Sequence, residues 1–160
     1  MSNDMPAPRK KRHAADEPVS LGMLPGLVGY RVRLAQMAIF TDFNRALGAL
    51  ELSPGLFGLL VIVEANPGLK QSRLAGAARL DRSSLVPALN KLEARGLVAR
   101  RDAPGDRRAY GLHLTAAGAA LLARAKRAVR RHEARLAAGL GAGERDLLIA
   151  LLSGIFPDRR

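Results

Sequence analysis

The stretch from Gln71 to Leu114 constrains the fold most, because it orders two short helices and a hairpin with little room for alternatives. A short helix over about Gln71 to Ala78 is followed by Asp81, a strong N-cap residue, and a second helix from there runs to Arg95 before Gly96 stops it. Within that second helix Leu85, Leu89 and Leu92 recur at helical spacing and define a buried side. Geometry then fixes the opposite side, which carries Ser83, Pro87, Asn90 and Ala94, flanked by Ser84 and Lys91. Two β-compatible runs follow, Leu97 to Arg101 and Tyr110 to Leu114, joined by a loop over residues 102–108 in which Gly105 permits the turn. Two short helices with a tight turn between them form a helix-turn-helix, and a hairpin directly after it is a wing.

The flanking segments read as helices. Val28, Val32, Ala35, Ile39, Phe43, Ala46 and Leu50 fall on one narrow arc of a long amphipathic helix spanning Leu24 to Leu50, with Pro25 in its first turn. Ser53 and Pro54 form an N-cap and N1 pair that opens an apolar helix, ended by the Asn66-Pro67-Gly68 turn. Thr115 caps a long Ala, Leu and Arg helix to about Leu140, glycines 139, 141 and 143 turn the chain, and Glu144 to Ile155 forms a last helix. The expected fold class is mainly α with a small β-hairpin wing. Residues 1–19, polar and Pro-punctuated with the run Arg9-Lys10-Lys11-Arg12, read as a disordered basic tail that is either solvated or an arm reaching phosphates.

Charge is distributed unevenly. The chain carries a formal +12, but residues 21–69 balance three basic against three acidic side chains, whereas residues 70–108 hold ten against four and residues 109–137 six against one. A neutral part and a basic part within one domain imply a polyanionic partner, nucleic acid first and an anionic membrane surface second. The basic run Arg124, Lys126, Arg127, Arg130, Arg131 and Arg135 admits a solvated face, a flanking DNA contact or membrane binding. The longest apolar stretch, Leu56 to Val63, falls well short of the ~18 to 20 residues that span a bilayer. With no signal-peptide pattern at the N-terminus, a soluble cytoplasmic protein is expected.

The exposed side of the second short helix suits a major groove. Asn90 can pair with adenine, Ser83 with several bases, and the Pro87 ring can touch a thymine methyl, while amides and hydroxyls from Asp81 to Ser84 can hold phosphate and Ser72, Arg82 and Lys91 complete the candidate DNA contacts. An interior proline removes the hydrogen bond to the Ser83 carbonyl, so a bend near Pro87 that adjusts groove fit is expected. On the wing, Arg107 and Arg108 are placed at the tip beside Asp106, which can orient one guanidinium by a bidentate pair. Arg100 and Arg101 on the incoming strand are placed against phosphates.

These residues resemble the multiple-antibiotic-resistance regulator (MarR) family of winged helix-turn-helix transcription regulators. The resemblance runs through Asn66 to Ala75 (NPGLKQSRLA), Leu80 to Arg101 (LDRSSLVPALNKLEARGLVARR), the D-x-R element at Asp106 to Arg108, and Leu114 to Gly118 (LTAAG). It implies a single domain over residues 20–160, with a winged helix-turn-helix at 53–114 and helices at 21–50 and 115–156 that interleave in a homodimer. It further implies a repressor that reads a pseudo-palindromic duplex and releases it when a small aromatic or anionic molecule binds; the mixed aromatic, Met and cation surface of the first long helix suits a phenolic acid or a CoA thioester. A ligand-independent architectural or partner-docking DNA-binding protein is the alternative. Pro87 departs from the commoner polar residue of that helix.

A second face of the first long helix carries Tyr30, Arg33, Met37, Phe40, Thr41 and Asn44, which reads either as dimer packing or as an effector site with Arg33 or Arg31 meeting the negative group. Tyr30, Arg33, Met37, Phe40 and Asn44 are the candidate ligand residues. The absence of cysteine excludes thiolate zinc sites, thiol nucleophiles and sulfur-based oxidant sensing. His13, His113 and His132 share no metal-ligand spacing and read as isolated surface histidines, and Gly139 to Glu144 (GLGAGE) has neither the preceding strand nor the following Lys of a phosphate loop. No nucleophile elbow or supported acidic pair is present, so neither a cofactor nor catalysis is expected.

Overall fold

The computed structural model describes residues 19–103 and 106–155, without the side chains of 102–109. The chain divides into two compact units at Ala35/Gln36. The N-terminal unit holds a 3₁₀ turn at Leu24–Gly26, with Pro25 in it, and the start of helix α1 (Val28–Leu47). Arg31 Nε donates to the Pro25 carbonyl at 2.8 Å, tying that turn to the helix.

The larger unit contains the rest of α1, a 3₁₀ turn at Gly48–Leu50, α2 (Pro54–Ala65), α3 (Gln71–Ala78), α4 (Arg82–Ala94), β1 (Val98–Ala103), β2 (Asp106–Leu114), α5 (Ala116–Leu136), a 3₁₀ turn at Ala137–Gly139 and α6 (Glu144–Ile155). The expected fold class is therefore realised: mainly α, with one two-stranded antiparallel sheet. Caps set the helix starts as their residue types dictate. Ser53 Oγ accepts from Leu56 N, Asp81 Oδ1 from Ser84 N at 2.7 Å, and Thr115 Oγ1 from Gly118 N at 2.9 Å.

The core lies among these helices. Phe43 and Leu47 of α1, Leu59, Leu60 and Val63 of α2, Leu74 of α3, the α4 leucines and Leu122 of α5 are all buried. Phe43 meets Phe57 edge-on, with ring centroids 6.0 Å apart. Each fully buried leucine contributes about 1.5 to 3 kcal/mol through burial. The amphipathic stripe on α1 behaves differently along its length. Phe43 is buried and Ile39, Ala46 and Leu50 are half-buried, whereas Val28, Val32 and Ala35 stand exposed. Helix α6 is exposed throughout, with Leu147, Leu148, Ile149, Leu151, Leu152 and Ile155 at 45 to 61%.

The hairpin strands are longer than the residue pattern suggests. Strand β1 continues to Ala103, which pairs with Asp106, so residues 106–108 belong to β2 and not to a long tip loop. Ladder pairing recruits polar residues that carry no β signal of their own, and the register breaks between Asp102 and Ala103. Leu69 adds a bridge to Leu112, with Gly68 N donating to the Leu112 carbonyl at 2.9 Å and Leu112 N to the Leu69 carbonyl at 3.0 Å. The wing is thereby fastened to the turn that precedes α3.

Candidate nucleic-acid interface

Helix α4 separates its two sides cleanly. Leu85, Leu89 and Leu92 are at most 1% exposed, while Ser83, Ser84, Pro87, Asn90, Lys91 and Ala94 all face solvent. The helix passes through Pro87 without interruption. Its C-terminal end is held on three sides. Gly96 N donates to the Glu93 carbonyl at 2.8 Å and Leu97 N to the Leu92 carbonyl at 2.9 Å, which closes the helix in the manner of a glycine C-cap. Arg95, the C-cap residue, sends Nη1 to the Glu51 carbonyl at 2.8 Å and Nη2 to the Leu50 carbonyl at 2.9 Å, bolting α4 to the turn after α1. Thr115 Oγ1 donates to the Gly96 carbonyl at 2.6 Å, joining the start of α5 to the same point.

Gly118 explains the glycine of the LTAAG stretch. A Cβ there would lie 2.0 Å from the Leu97 carbonyl oxygen, so α5 reaches the backbone after α4 only because this residue has no side chain.

At the N-terminal end, the Asp81 carboxylate accepts from Ser83 Oγ and from Ser84 N, both at 2.7 Å. Those two bonds, the Ser83 hydroxyl first, hold the Asp81 carboxyl below its ordinary range. The chain's own anion thus occupies this helix end. Ser83 spends its proton on Asp81 and presents lone pairs outward, so in this arrangement it offers a base an acceptor.

Ser72 of α3 and Arg82 of α4 line one cleft of about 390 Å³ together with Gln71, Ala75 and Leu85. The structure thereby brings two expected DNA contacts together and adds Gln71, whose place at the first turn of α3 is its only sequence signal. A second cleft, of about 480 Å³, lies on the turn from Asn66 to Lys70 and includes Arg73. Lys70 and Arg73 were not among the sequence candidates. Both belong to the basic block at residues 70–108, and only the Leu69–Leu112 bridge sets them beside the wing.

On the wing, Arg100 Nε is paired with Glu93 Oε1 of α4 at 2.9 Å, and Arg101 is exposed. Arg100 therefore already braces the strand against the recognition helix. The expected Asp106 to Arg108 constellation lies outside the described side chains. The ligand candidates Arg33, Met37, Phe40 and Asn44 stand exposed on α1, and Tyr30 is half-buried.

One expectation is corrected. His132 is 1% exposed and is no surface histidine: its Nδ1–H donates to Asp42 Oδ2 at 2.7 Å, and its ring meets Phe43 edge-on. Arg135 Nη2 donates to the same Asp42 oxygen at 2.7 Å. The His132 bond first, then Arg135, lower the Asp42 pKa against its partial burial. His113 is half-buried on β2. Among the described residues no group of His, Asp or Glu is arranged to hold a metal, and no single helix is long and apolar enough to cross a membrane.

Comparison with known proteins agrees with this geometry. Residues 52–110 match the MarR family. The chain is 43% identical over 136 residues to a putative transcriptional regulatory protein for the hcr operon of Thauera aromatica, covering 84% of this chain and 82% of that one. Its fold is similar to that of the transcriptional repressor CouR bound to a 23-mer DNA duplex, with 40% identity, a TM-score of 0.81, and coverage of 87% of this chain and 99% of the other. CouR bound to p-coumaroyl-CoA gives 37% identity, a TM-score of 0.82, and coverage of 88% and 99%. A solvent-facing recognition helix held at its far end, a wing braced against it and this degree of identity together make the chain a member of the MarR family of winged helix-turn-helix transcription regulators, a DNA-binding regulator and not an enzyme.

Proposed function

We propose that the chain is a homodimeric repressor that sits on a pseudo-palindromic stretch of double-stranded DNA and leaves it when an aromatic acyl-CoA thioester binds. The observation that carries this reading is the likeness, over nearly the whole chain, to a repressor known both on DNA and with p-coumaroyl-CoA. Exposed apolar surface supports the dimer. Six large aliphatic residues of α6 face solvent, and so, in the N-terminal unit, do Leu21, Met23, Leu24, Leu27 and Val28. A second copy is the occupant that a self-pairing family fold supplies for such surface.

In this reading Ser83, Pro87 and Asn90 meet base edges. Ser72, Arg82, Ser84, Lys91 and Arg101 meet phosphates, with Arg100 holding β1, the ladder partner of the strand that carries Asp106, Arg107 and Arg108 to the minor groove. Two recognition helices about 34 to 36 Å apart would then engage successive major grooves. Arg33 meets the anionic part of the effector, while Tyr30, Met37, Phe40 and Asn44 surround its aromatic part.

Footprinting of genomic fragments selected by the purified full chain tests the proposal, with p-coumaroyl-CoA, p-coumarate and free CoA added in turn. A short two-fold protected site is expected, with affinity falling by ~10³ or more between 50 and 200 mM salt. The thioester should release the DNA at lower concentration than either fragment, and Arg33→Ala should raise that concentration at least tenfold. Equal protection of every sequence would favour the architectural alternative, and a stable monomer or indifference to all three molecules would overturn the proposal.

A further inference from the structure

A cleft of about 310 Å³ lies between the C-terminal half of α1 and the C-terminal half of α5, apart from both helices of the helix-turn-helix. Asp42, Arg45 and Ala46 line it from α1, and Ala128, Arg131 and Arg135 from α5. Its charges are not balanced. The Asp42 carboxylate is committed through one oxygen to His132 and Arg135, and Arg45 stands 3.9 Å from the other, with a side chain 79% exposed. The Arg131 guanidinium has no partner among the described residues. Three guanidiniums therefore face one carboxylate, and two of the three forks have donors to spare. A wall of two alanines keeps the space between them open.

We propose that this cleft is a phosphate-binding site, in which Arg45 from α1 and Arg131 from α5 grip one phosphate dianion from opposite sides. The surplus of two positive charges matches a phosphate dianion better than a carboxylate, and planar guanidinium forks suit its tetrahedral oxygens. Asp42 acts as the orienting residue. Anchored by buried His132, it fixes Arg135 at one side of the cleft and prevents that arginine from folding over the opening. A bound anion would cross-link α1 and α5. This site does not depend on the effector reading, and the phosphate source is either a free anion or the phosphates of a nucleotide-bearing molecule.

The His132 ring provides a local readout, since it shares Asp42 with the cleft while the DNA-facing arginines lie elsewhere. Its imidazole resonances are followed by NMR in the full chain during titration with inorganic phosphate, with free CoA, and with acetate at matched ionic strength. A saturable shift is expected with phosphate or CoA and none with acetate. Tighter CoA binding would identify a nucleotide source, and a response to phosphate alone a free anion. In the double variant Arg45→Gln/Arg131→Gln, whose changes fall on exposed side chains, the midpoint should rise at least tenfold while the thermal transition without anion is retained. In a parallel melt, the anion-induced rise in Tm should be lost in the variant. An absent shift, an equal response to acetate, or a shift that survives in the folded double variant would overturn the proposal.

Discussion

Gly118→Ala sets two principles against each other. Alanine is the better helix former by about 1 kcal/mol, so propensity alone makes this substitution stabilising. Sterics oppose it, because the new Cβ would lie 2.0 Å from the Leu97 carbonyl oxygen, 2.9 Å from its carbon and 3.2 Å from its Cα. These are backbone atoms and cannot rotate aside, so the first turn of α5 must retreat by well over 1 Å to reach ordinary contact, and overpacking of this kind costs about 1 to 3 kcal/mol. The retreat also pulls Thr115 from its two bonds, the cap to Gly118 N and the link to the Gly96 carbonyl, and the loss of a cap costs about 1 kcal/mol more. A net destabilisation of about 1 to 3 kcal/mol remains after the propensity gain is subtracted. Urea unfolding at fixed protein concentration measures it. Gly76→Ala in α3 is the control, since nothing lies within 4 Å of a Cβ there, and it should stabilise by about 0.5 to 1 kcal/mol. If both variants stabilise equally, the close approach of α5 to Leu97 is not what this glycine is for.

Three further outcomes follow from named contacts. Arg95→Gln removes two charge-assisted bonds to the Leu50 and Glu51 carbonyls and should cost about 1 to 3 kcal/mol in denaturant unfolding; an unchanged midpoint would mean that water replaces the guanidinium without loss. Pro87→Ala restores a donor for the Ser83 carbonyl and should raise stability by up to ~3 kcal/mol, while operator affinity measured by anisotropy should change if the proline shapes the groove fit and stay constant if it does not. Asp42, whose pKa is depressed in the folded chain, contributes stability that is present above its unfolded value near 3.8 and is lost as the pH falls through the folded value. The gap in unfolding free energy between wild type and Asp42→Asn should therefore stay level around neutrality and close below about pH 4, and a gap independent of pH would refute the assignment.

What could be read from residues alone was whatever depends on near neighbours. The two sides of α4 follow from a 3.6-residue period, and Ser53, Asp81 and Thr115 announce helix starts because a cap acts within three residues. The bounds of α3 and α6 were legible for the same reason. Contacts that join distant segments carry no such mark. His132 and Asp42 are 90 residues apart, and a histidine on a helix rich in Arg looks like surface until α1 packs against it. Arg95 bonds to backbone carbonyls, which no residue pattern reveals. Strand length in the wing was underestimated because pairing, and not composition, extends β1 to Ala103. The α1 stripe promised a buried face along its whole length, yet amphipathicity states only that a surface wants covering and is silent on whether the same chain covers it.

Apart from the cap that Ser83 and Ser84 make with Asp81, the contacts that orient the recognition helix and the residues that face outward from it are separate sets. Leu85, Leu89 and Leu92 anchor α4 from beneath, Arg95, Gly96 and Leu97 fix its end to the turn after α1 and to α5, and Glu93 braces Arg100 of the wing. Among the described residues the side chains of Pro87, Asn90 and Lys91 make no hydrogen bond or ion pair, whereas Ser83 and Ser84 are engaged with Asp81. Substitutions at Asn90 or Lys91 should therefore change which duplex is bound, or how tightly, with unfolding midpoints unmoved. Leu89→Ala should lower stability by about 2 to 5 kcal/mol before any choice of sequence is affected. That separation is what allows a fixed scaffold to carry different reading surfaces: the free energy that positions the helix comes from one set of side chains, and the discrimination between base pairs from another.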